Sequence, residues 1–164
     1  MILRKTVAGA ALLLLLAGCS HRRPSERDLY NVDAALPAAL PLKPLDWQVI
    51  TSSVDSEHHT MTTLFGNDVA VKAAHGSDGQ VQYPAAAVLS EVTWLQREDE
   101  HWFGGRIPQR FVSMEIVKIT TSAEGRPAVR YERFGPSGQR TSENPGQDEA
   151  RKQAILSEKP SPMP

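Results

Sequence analysis

The stretch Val88-Leu-Ser-Glu-Val-Thr-Trp-Leu95 decides the fold class, because the character of its side chains changes at every position. In an extended chain, positions 88, 90, 92 and 94 would lie on one face and positions 89, 91, 93 and 95 on the other. One set is dominated by valine and tryptophan, and the other contains Glu91 and Thr93. Alternation over eight residues therefore predicts a β-strand with two different faces.

The neighbouring segments extend this pattern to a sheet. Runs rich in β-branched and aromatic residues predict strands at 47–54, 59–65, 111–121 and 128–134. The polar segments 55–57 and 124–127 are typical of the turns between them. These strands predict an antiparallel sheet, and the fold class is α+β with two or three short helices.

Helix signals occur at three places. Asn67 or Asp68 can cap a short helix over 69–74, which Gly76 would end. A second helix is expected at 147–158, with Ala150, Ala154 and Ile155 on one side. A further short helix is expected around 26–35.

The N-terminal segment has the features of a secretory signal. A short basic region, Arg4-Lys5, precedes an apolar run at 7–16 that is too short to span a bilayer. Residues 16–19, Leu-Ala-Gly-Cys, resemble a bacterial lipobox, which implies cleavage before Cys19 and acylation of its thiol. The alternative is an ordinary cleaved signal in which Cys19 is incidental. Ser20, rather than aspartate, favours sorting to the outer membrane, so we expect a lipid-anchored, periplasm-facing envelope protein.

Acylation of Cys19 would exclude much other chemistry, because it is the only cysteine in the chain. The mature protein would have no disulfide, no thiolate metal ligand, no catalytic thiol and no covalent c-type haem attachment. Nucleic acid is not an expected partner, because no basic cluster follows residues 21–23 and the formal net charge is −1. We expect four regions: a leader (1–18), a flexible tether (19–44), a β domain (45–134), and a connector with a C-terminal helix and tail (135–164).

The segment 96–108 combines three acids, Glu98, Asp99 and Glu100, with a histidine and two aromatic residues. The acids would raise one another's pKa values, so that one could act as an acid or base. In the alternative interpretation the segment is a solvated acidic turn, Trp102 and Phe103 fill the core, and Arg106 pairs with the acids. No metal-binding spacing is present, and the adjacent His58 and His59 would face opposite sides of a strand.

Residues 47–52, 59–72 and 83–94, together with the Glu-Asp-Glu-His-Trp-Phe-Gly-Gly-Arg-Ile-Pro loop at 98–108, resemble a cytochrome P460-type domain. The resemblance covers about residues 45–134. It implies a compact antiparallel β domain in the periplasm, a homodimer, and a c-type haem attached through a C-x-x-C-H motif near the C-terminus. Hydroxylamine-oxidising members also carry a lysine cross-linked to the haem, on the strand before the tryptophan. Here residues 143–164 contain neither cysteine nor histidine, and no lysine lies near Glu91.

Because the residues that attach haem in this family are missing here, we expect a P460-like domain without covalent haem, and three functions remain open. The first is a non-enzymatic module that binds a small ligand or a protein. The second is a redox or NO-binding protein, an oxidoreductase if it is an enzyme, with noncovalent haem; its axial ligand would come from His58, His59, His75 or, best placed, His101. The third is a structural envelope lipoprotein. The residues expected to line a ligand pocket are Glu91, Trp94, His101, Trp102, Phe103 and Arg106.

Overall fold

The computed structural model describes residues 29–76, 80–142 and 144–161. Residues 1–28, which include the expected leader, Cys19 and the first part of the expected tether, lie outside the described residues. The chain divides into two units, Met1–Val32 and Asp33–Pro164. Of the first unit only residues 29–32 are described, and their side chains are exposed. The second unit contains the sheet and is the domain described below.

The domain is a six-stranded antiparallel sheet with two α-helices, which confirms the predicted α+β class. The elements are β1 (Gln48–Asp55), β2 (Thr60–Gly66), α1 (Asp68–His75), β3 (Val88–Glu98), β4 (Arg106–Thr121), β5 (Pro127–Phe134), β6 (Arg140–Thr141) and α2 (Pro145–Ser157). Short 3-10 turns lie at Val32–Ala34 and Pro44–Asp46. The spatial order is β1-β2-β3-β4-β5-β6, so every strand pairs with its neighbour in the chain.

Strands β3 and β4 are longer than the sequence pattern predicts. They continue to pair beyond Trp94, with Arg97 opposite Ile107 and Glu98 opposite Arg106. The expected loop at 96–108 is therefore shorter than predicted: residues 96–98 and 106–108 belong to the strands, and the β3–β4 loop itself covers only residues 99–105. The polar composition of this segment suggested a loop, but backbone pairing between the two strands extends the sheet into it.

Helix α1 begins where the sequence predicts. The side chain of Asn67 caps it by accepting a hydrogen bond from the Ala70 N–H, and Gly76 ends it. The helix occupies the connection between β2 and β3, and it packs close to the sheet beside Gly66. A Cβ at Gly66 would lie 2.7 Å from Ile50 Cδ1 and 3.0 Å from Ala70 Cβ, so glycine permits this close approach.

One face of the sheet, the helix face, is covered at one end by α1 and α2. Its apolar core joins sheet residues such as Leu64, Leu89 and Val117 to α1 residues and to Ile155 of α2. The prediction that Ala150, Ala154 and Ile155 form an apolar side of α2 is only partly correct. Ile155 is fully buried, whereas Ala150 and Ala154 are exposed. The helix is instead fixed by Ile155 and by an inward-pointing arginine described below.

The other face, the N-segment face, carries a second core that includes Phe65, Val92 and Trp94. Leu36, Leu40 and Leu42 pack against this core. Residues 34–44 are thus part of the domain, although the proline-rich composition of 19–44 predicted a flexible tether. The prediction took account of the prolines and not of the leucines at 36, 40 and 42, whose apolar side chains pack on the sheet.

No helix in the described part of the chain is long and apolar enough to cross a membrane.

Candidate ligand groove

A polar groove of about 380 Å³ lies on the part of the helix face that the apolar core leaves open. Strands β1 to β5 and the C-terminal segment all contribute to it. Of the described residues that line the groove only Val112 is apolar; the others are Ser53, Asp55, Thr60, Thr62, Glu91, Thr93, Ser113, Glu115, Arg133, Arg151 and Glu158. The groove is therefore built for hydrogen bonds and charges.

Two glutamates form the buried base of this groove. Glu91 of β3 and Glu115 of β4 are direct partners in the antiparallel register, and each is only 2% exposed. Like charges placed directly opposite each other destabilise a sheet. The pair therefore needs a counter-charge, which α2 provides.

Arg151 of α2 supplies that counter-charge. Its Nε lies 3.2 Å from both carboxylate oxygens of Glu115, and its Nη2 lies 2.6 Å from Oε2. The same Nη2 donates a short hydrogen bond to Glu91. Tyr131 of β5 donates its hydroxyl hydrogen to Glu115 from the other side. One guanidinium thus joins both acids and ties α2 to the centre of the sheet.

The two carboxyls have different pKa values because their surroundings differ. Burial and a hydrogen bond with the carboxyl of Glu158 together raise the pKa of Glu91 to about 8, against the opposing effect of Arg151. Burial alone would also raise the pKa of Glu115. Hydrogen bonds from Arg151 and Tyr131 outweigh burial and hold the pKa of Glu115 below its usual value.

Because their pKa values are shifted in opposite directions, the two glutamates differ in protonation state at neutral pH. Glu91 is largely protonated and can donate a hydrogen bond, whereas Glu115 is ionised. The oxygens of Glu115 are occupied by Arg151 and Tyr131. Burial and the hydrogen bond to Glu115 raise the pKa of Tyr131, so the phenol stays protonated as a donor. The base of the groove is therefore a fixed, hydrogen-bonded array.

The rim of the groove carries hydroxyls and one histidine–aspartate pair. Thr62 and Ser53, cross-strand partners on β2 and β1, join their hydroxyls at 2.6 Å. Asp55 accepts a hydrogen bond from the His58 ring at 2.8 Å. A backbone hydrogen bond from the His58 N–H and the ring contact lower the pKa of Asp55.

The six residues that the sequence suggested for a pocket do not lie together. Glu91 is in the groove. Trp94 is on the opposite face, where its Nε1 donates to the Ala34 carbonyl at 2.9 Å. His101, Trp102 and Phe103 are exposed on the β3–β4 loop, and Arg106 lies next to them, with its Nη2 3.6 Å from a carboxylate oxygen of Glu98. The expectation that Trp102 and Phe103 fill the core is wrong.

Sequence reasoning missed Glu115, Tyr131 and Arg151. A signal for Glu115 was present, since it interrupts the apolar run Met114-Glu115-Ile116-Val117 in a strand. A charged side chain at an inward position is a candidate functional residue. Arg151 carries no such signal, because its role depends on how α2 packs on β4.

The described residues do not fit a noncovalent haem. His101 has a side chain that is 88% exposed, and Trp102 and Phe103 beside it form no wall. His58, His59 and His75 are exposed as well. The groove offers hydroxyls and charges where a macrocycle needs apolar walls. Within residues 29–76, 80–142 and 144–161, no three histidine, cysteine or carboxylate side chains are grouped to hold a metal ion.

Compared with known proteins, the chain matches no family model, and no curated protein is significantly similar to it.

Proposed function

We propose that this protein is a lipid-anchored, periplasm-facing envelope protein that binds a small polar ligand in the groove above Glu91 and Glu115. The P460-like resemblance, the absence of a haem-attachment motif and the lipobox at Cys19 belong to the same proposal. The observation that carries it is the pair of buried, facing glutamates at the base of an open polar groove.

The energetics of the pair support a binding role. Desolvating two carboxyls and a guanidinium is costly, and well-packed apolar residues of similar volume would stabilise a sheet at least as well. On the same face of the same two strands, the neighbouring pair is apolar, with Leu89 opposite Val117, so an apolar pair can be packed on this face. Ionisable groups retained under an open groove, with pKa values moved apart, are typical of functional sites.

The lining indicates the chemistry of the ligand. The groove presents carboxyls, guanidinium groups and several hydroxyls, and its charges of both signs lie within one small volume. A zwitterionic or polyhydroxylated molecule of fewer than about twenty heavy atoms would match this surface and size. Free amino acids, dipeptides and monosaccharides are the classes to test first.

Adjacent residues on β2 provide a matched test. Thr62 lines the groove and pairs with Ser53, whereas Thr63 points to the opposite face and pairs with Ser52 at 3.0 Å. Thr62→Leu and Thr63→Leu each remove one cross-strand hydroxyl contact, but only Thr62→Leu places a larger side chain in the groove. The three proteins would be screened by thermal shift against the named classes, and any stabilising compound would then be titrated by calorimetry.

We expect a compound that stabilises the wild type and Thr63→Leu equally and binds Thr62→Leu at least about tenfold more weakly. Equal affinity for all three proteins would place the binding elsewhere and reject the groove. If no member of the panel stabilises the wild type, the ligand chemistry proposed here is wrong. The anchor is tested separately by mass spectrometry of the N-terminal peptide, with Cys19→Ser as the unacylated control.

A further inference from the structure

The β3–β4 loop holds two aromatic side chains in solvent. Trp102 is 75% exposed and Phe103 is fully exposed at the tip of the loop. Large apolar residues exposed side by side are unusual for a soluble surface and commonly mark a contact with a protein or a membrane. The two residues have no role in the groove described above.

Hydrogen bonds within the loop define its backbone turn. The Asp99 N–H donates to the Gly105 carbonyl at 3.0 Å, and the Gly105 N–H donates to the Trp102 carbonyl at 2.8 Å. The Asp99 side chain accepts from the His101 N–H at 2.8 Å. Gly104, next to the aromatic pair, adopts a positive φ of 75°, a turn conformation that favours glycine.

Two of the three acids that flank the tip are paired with arginines. Arg106 lies 3.6 Å from Glu98, and Arg97 lies 3.3 Å from Glu100. The ring of His101 lies 3.5 Å from Asp99. Local pairing of this kind leaves little net charge around the aromatic tip, which suits a zwitterionic lipid surface better than a strongly anionic one.

The chain enters the domain at the same end of the sheet. Trp94, close to the β3–β4 loop, bonds to the Ala34 carbonyl, and the chain then runs along the N-segment face to β1, which begins at the far end. If Cys19 carries lipid, the chain from Cys19 to Asp33 spans at most about 50 Å when fully extended. An acylated Cys19 would therefore leave the bilayer within this distance of Asp33, so that the end of the sheet that carries Trp102 and Phe103 could reach it.

We propose that Trp102 and Phe103 insert into the interfacial layer of a zwitterionic membrane, as a second contact beside the acyl anchor. Tryptophan partitions into this layer because the layer accepts both an apolar ring and an indole N–H, and phenylalanine adds apolar ring area. This inference rests on the lipid anchor of the proposed function, and it is independent of the groove.

The test uses the full acylated chain in phosphatidylcholine–phosphatidylethanolamine vesicles whose acyl chains carry bromine, a contact quencher of tryptophan fluorescence. Trp94 is buried and Trp47 packs against the core, so Trp102 is the fluorophore expected to be quenched. We expect quenching in the wild type and its loss in Trp102→Phe. Val129→Ser, an exposed apolar position near the opposite end of the sheet, should leave quenching unchanged.

A parallel measurement separates insertion from acylation. For a Cys19→Ser chain that starts at position 19 and so lacks the apolar run at 7–16, the Trp102→Ser/Phe103→Ser double variant should partition into the same vesicles about tenfold more weakly. Vesicle-bound acylated protein without quenching of Trp102 would overturn the inference, and so would a photo-crosslink from position 102 to a protein instead of lipid. An unacylated N-terminus would refute the anchor, while quenching of Trp102 in the Cys19→Ser chain would still support insertion.

Discussion

Arg151 holds Glu115 from a distance of 36 positions along the chain, with its Nε 3.2 Å from both carboxylate oxygens and its Nη2 2.6 Å from one of them. The carboxylate is almost fully buried, whereas 40% of the arginine side chain is exposed. The C-terminal helix therefore does more than cover the sheet, since it neutralises the charge at its centre. This relationship makes the stability of the domain depend on a single side chain of α2.

Arg151→Met should lower the free energy of unfolding by about 2–3 kcal/mol, because it leaves a buried carboxylate without its partner. The loss should be smaller than for a fully buried pair, since part of the guanidinium is in water. Lys152→Met is the matched control, because Lys152 pairs with the exposed Glu149. Urea unfolding of both variants measures the difference, and an equal loss in the two would show that the central ion pair adds nothing.

Glu91→Gln should change how stability depends on pH. Between pH 4.5 and about 8 the folded protein retains a proton on Glu91 that the unfolded chain has released. The free energy of unfolding of the wild type should therefore fall as pH rises through this window, by an amount on the order of a few kcal/mol. The variant lacks this titration, so its stability relative to the wild type should improve steadily from pH 4.5 to 8. Parallel curves over this range would mean that Glu91 is ionised in the folded protein.

Tyr131→Phe should destabilise the domain by about 1–3 kcal/mol, because it removes a donor to the buried Glu115. The pKa of Glu115 is lowered, so the stability it contributes is present above pH 4.5 and is lost as pH falls. In the variant that loss should begin at a higher pH. Tyr83→Phe is the control, because the buried Tyr83 hydroxyl has no hydrogen-bond partner among the described residues. Its removal should be neutral or slightly stabilising in the same acid titration.

Asn67→Ala should lower the free energy of unfolding by more than the loss of an ordinary helix cap does. Its Oδ1 accepts from both Ala70 N–H at 3.0 Å and Val88 N–H at 3.1 Å, and its Nδ2 donates to Ala86 O at 2.9 Å. We expect a loss of about 2–3 kcal/mol in thermal unfolding. Asn144→Ala removes the corresponding cap of α2, which bonds within its own helix, and should cost about 1 kcal/mol. Similar losses would show that Asn67 does not link α1 to the start of β3.

Much of the sheet could be predicted from the sequence, because alternation at positions 88–95 and the turn residues between strands are local signals. The cap at Asn67 is local as well. The ion pair of Glu115 and Arg151 could not be predicted, because it depends on the angle at which α2 crosses β4. The packing of Leu36, Leu40 and Leu42 was missed for a related reason. Prolines suggested an extended tether, and only the tertiary contact reveals that the leucines cover a core.

The candidate site illustrates the same limit. Glu91 was selected with five residues that are its neighbours in sequence, yet Trp94 lies on the other face and Trp102 lies in solvent. The residues that do share its surroundings come from β1, β2, β4, β5 and the C-terminal segment. The residues of a site that spans several strands are brought together by the register of those strands, and the register cannot be read from a single sequence.

The chain-order pairing of the strands has a consequence for biosynthesis. As the chain emerges with its N-terminus first, each strand after β1 can pair with the strand that precedes it, so the sheet can grow stepwise. In that process Glu91 and Glu115 come to face each other before Arg151 has been synthesised. We therefore expect chains that end before α2 to leave this pair without its counter-charge and to be more sensitive to proteolysis than the complete domain.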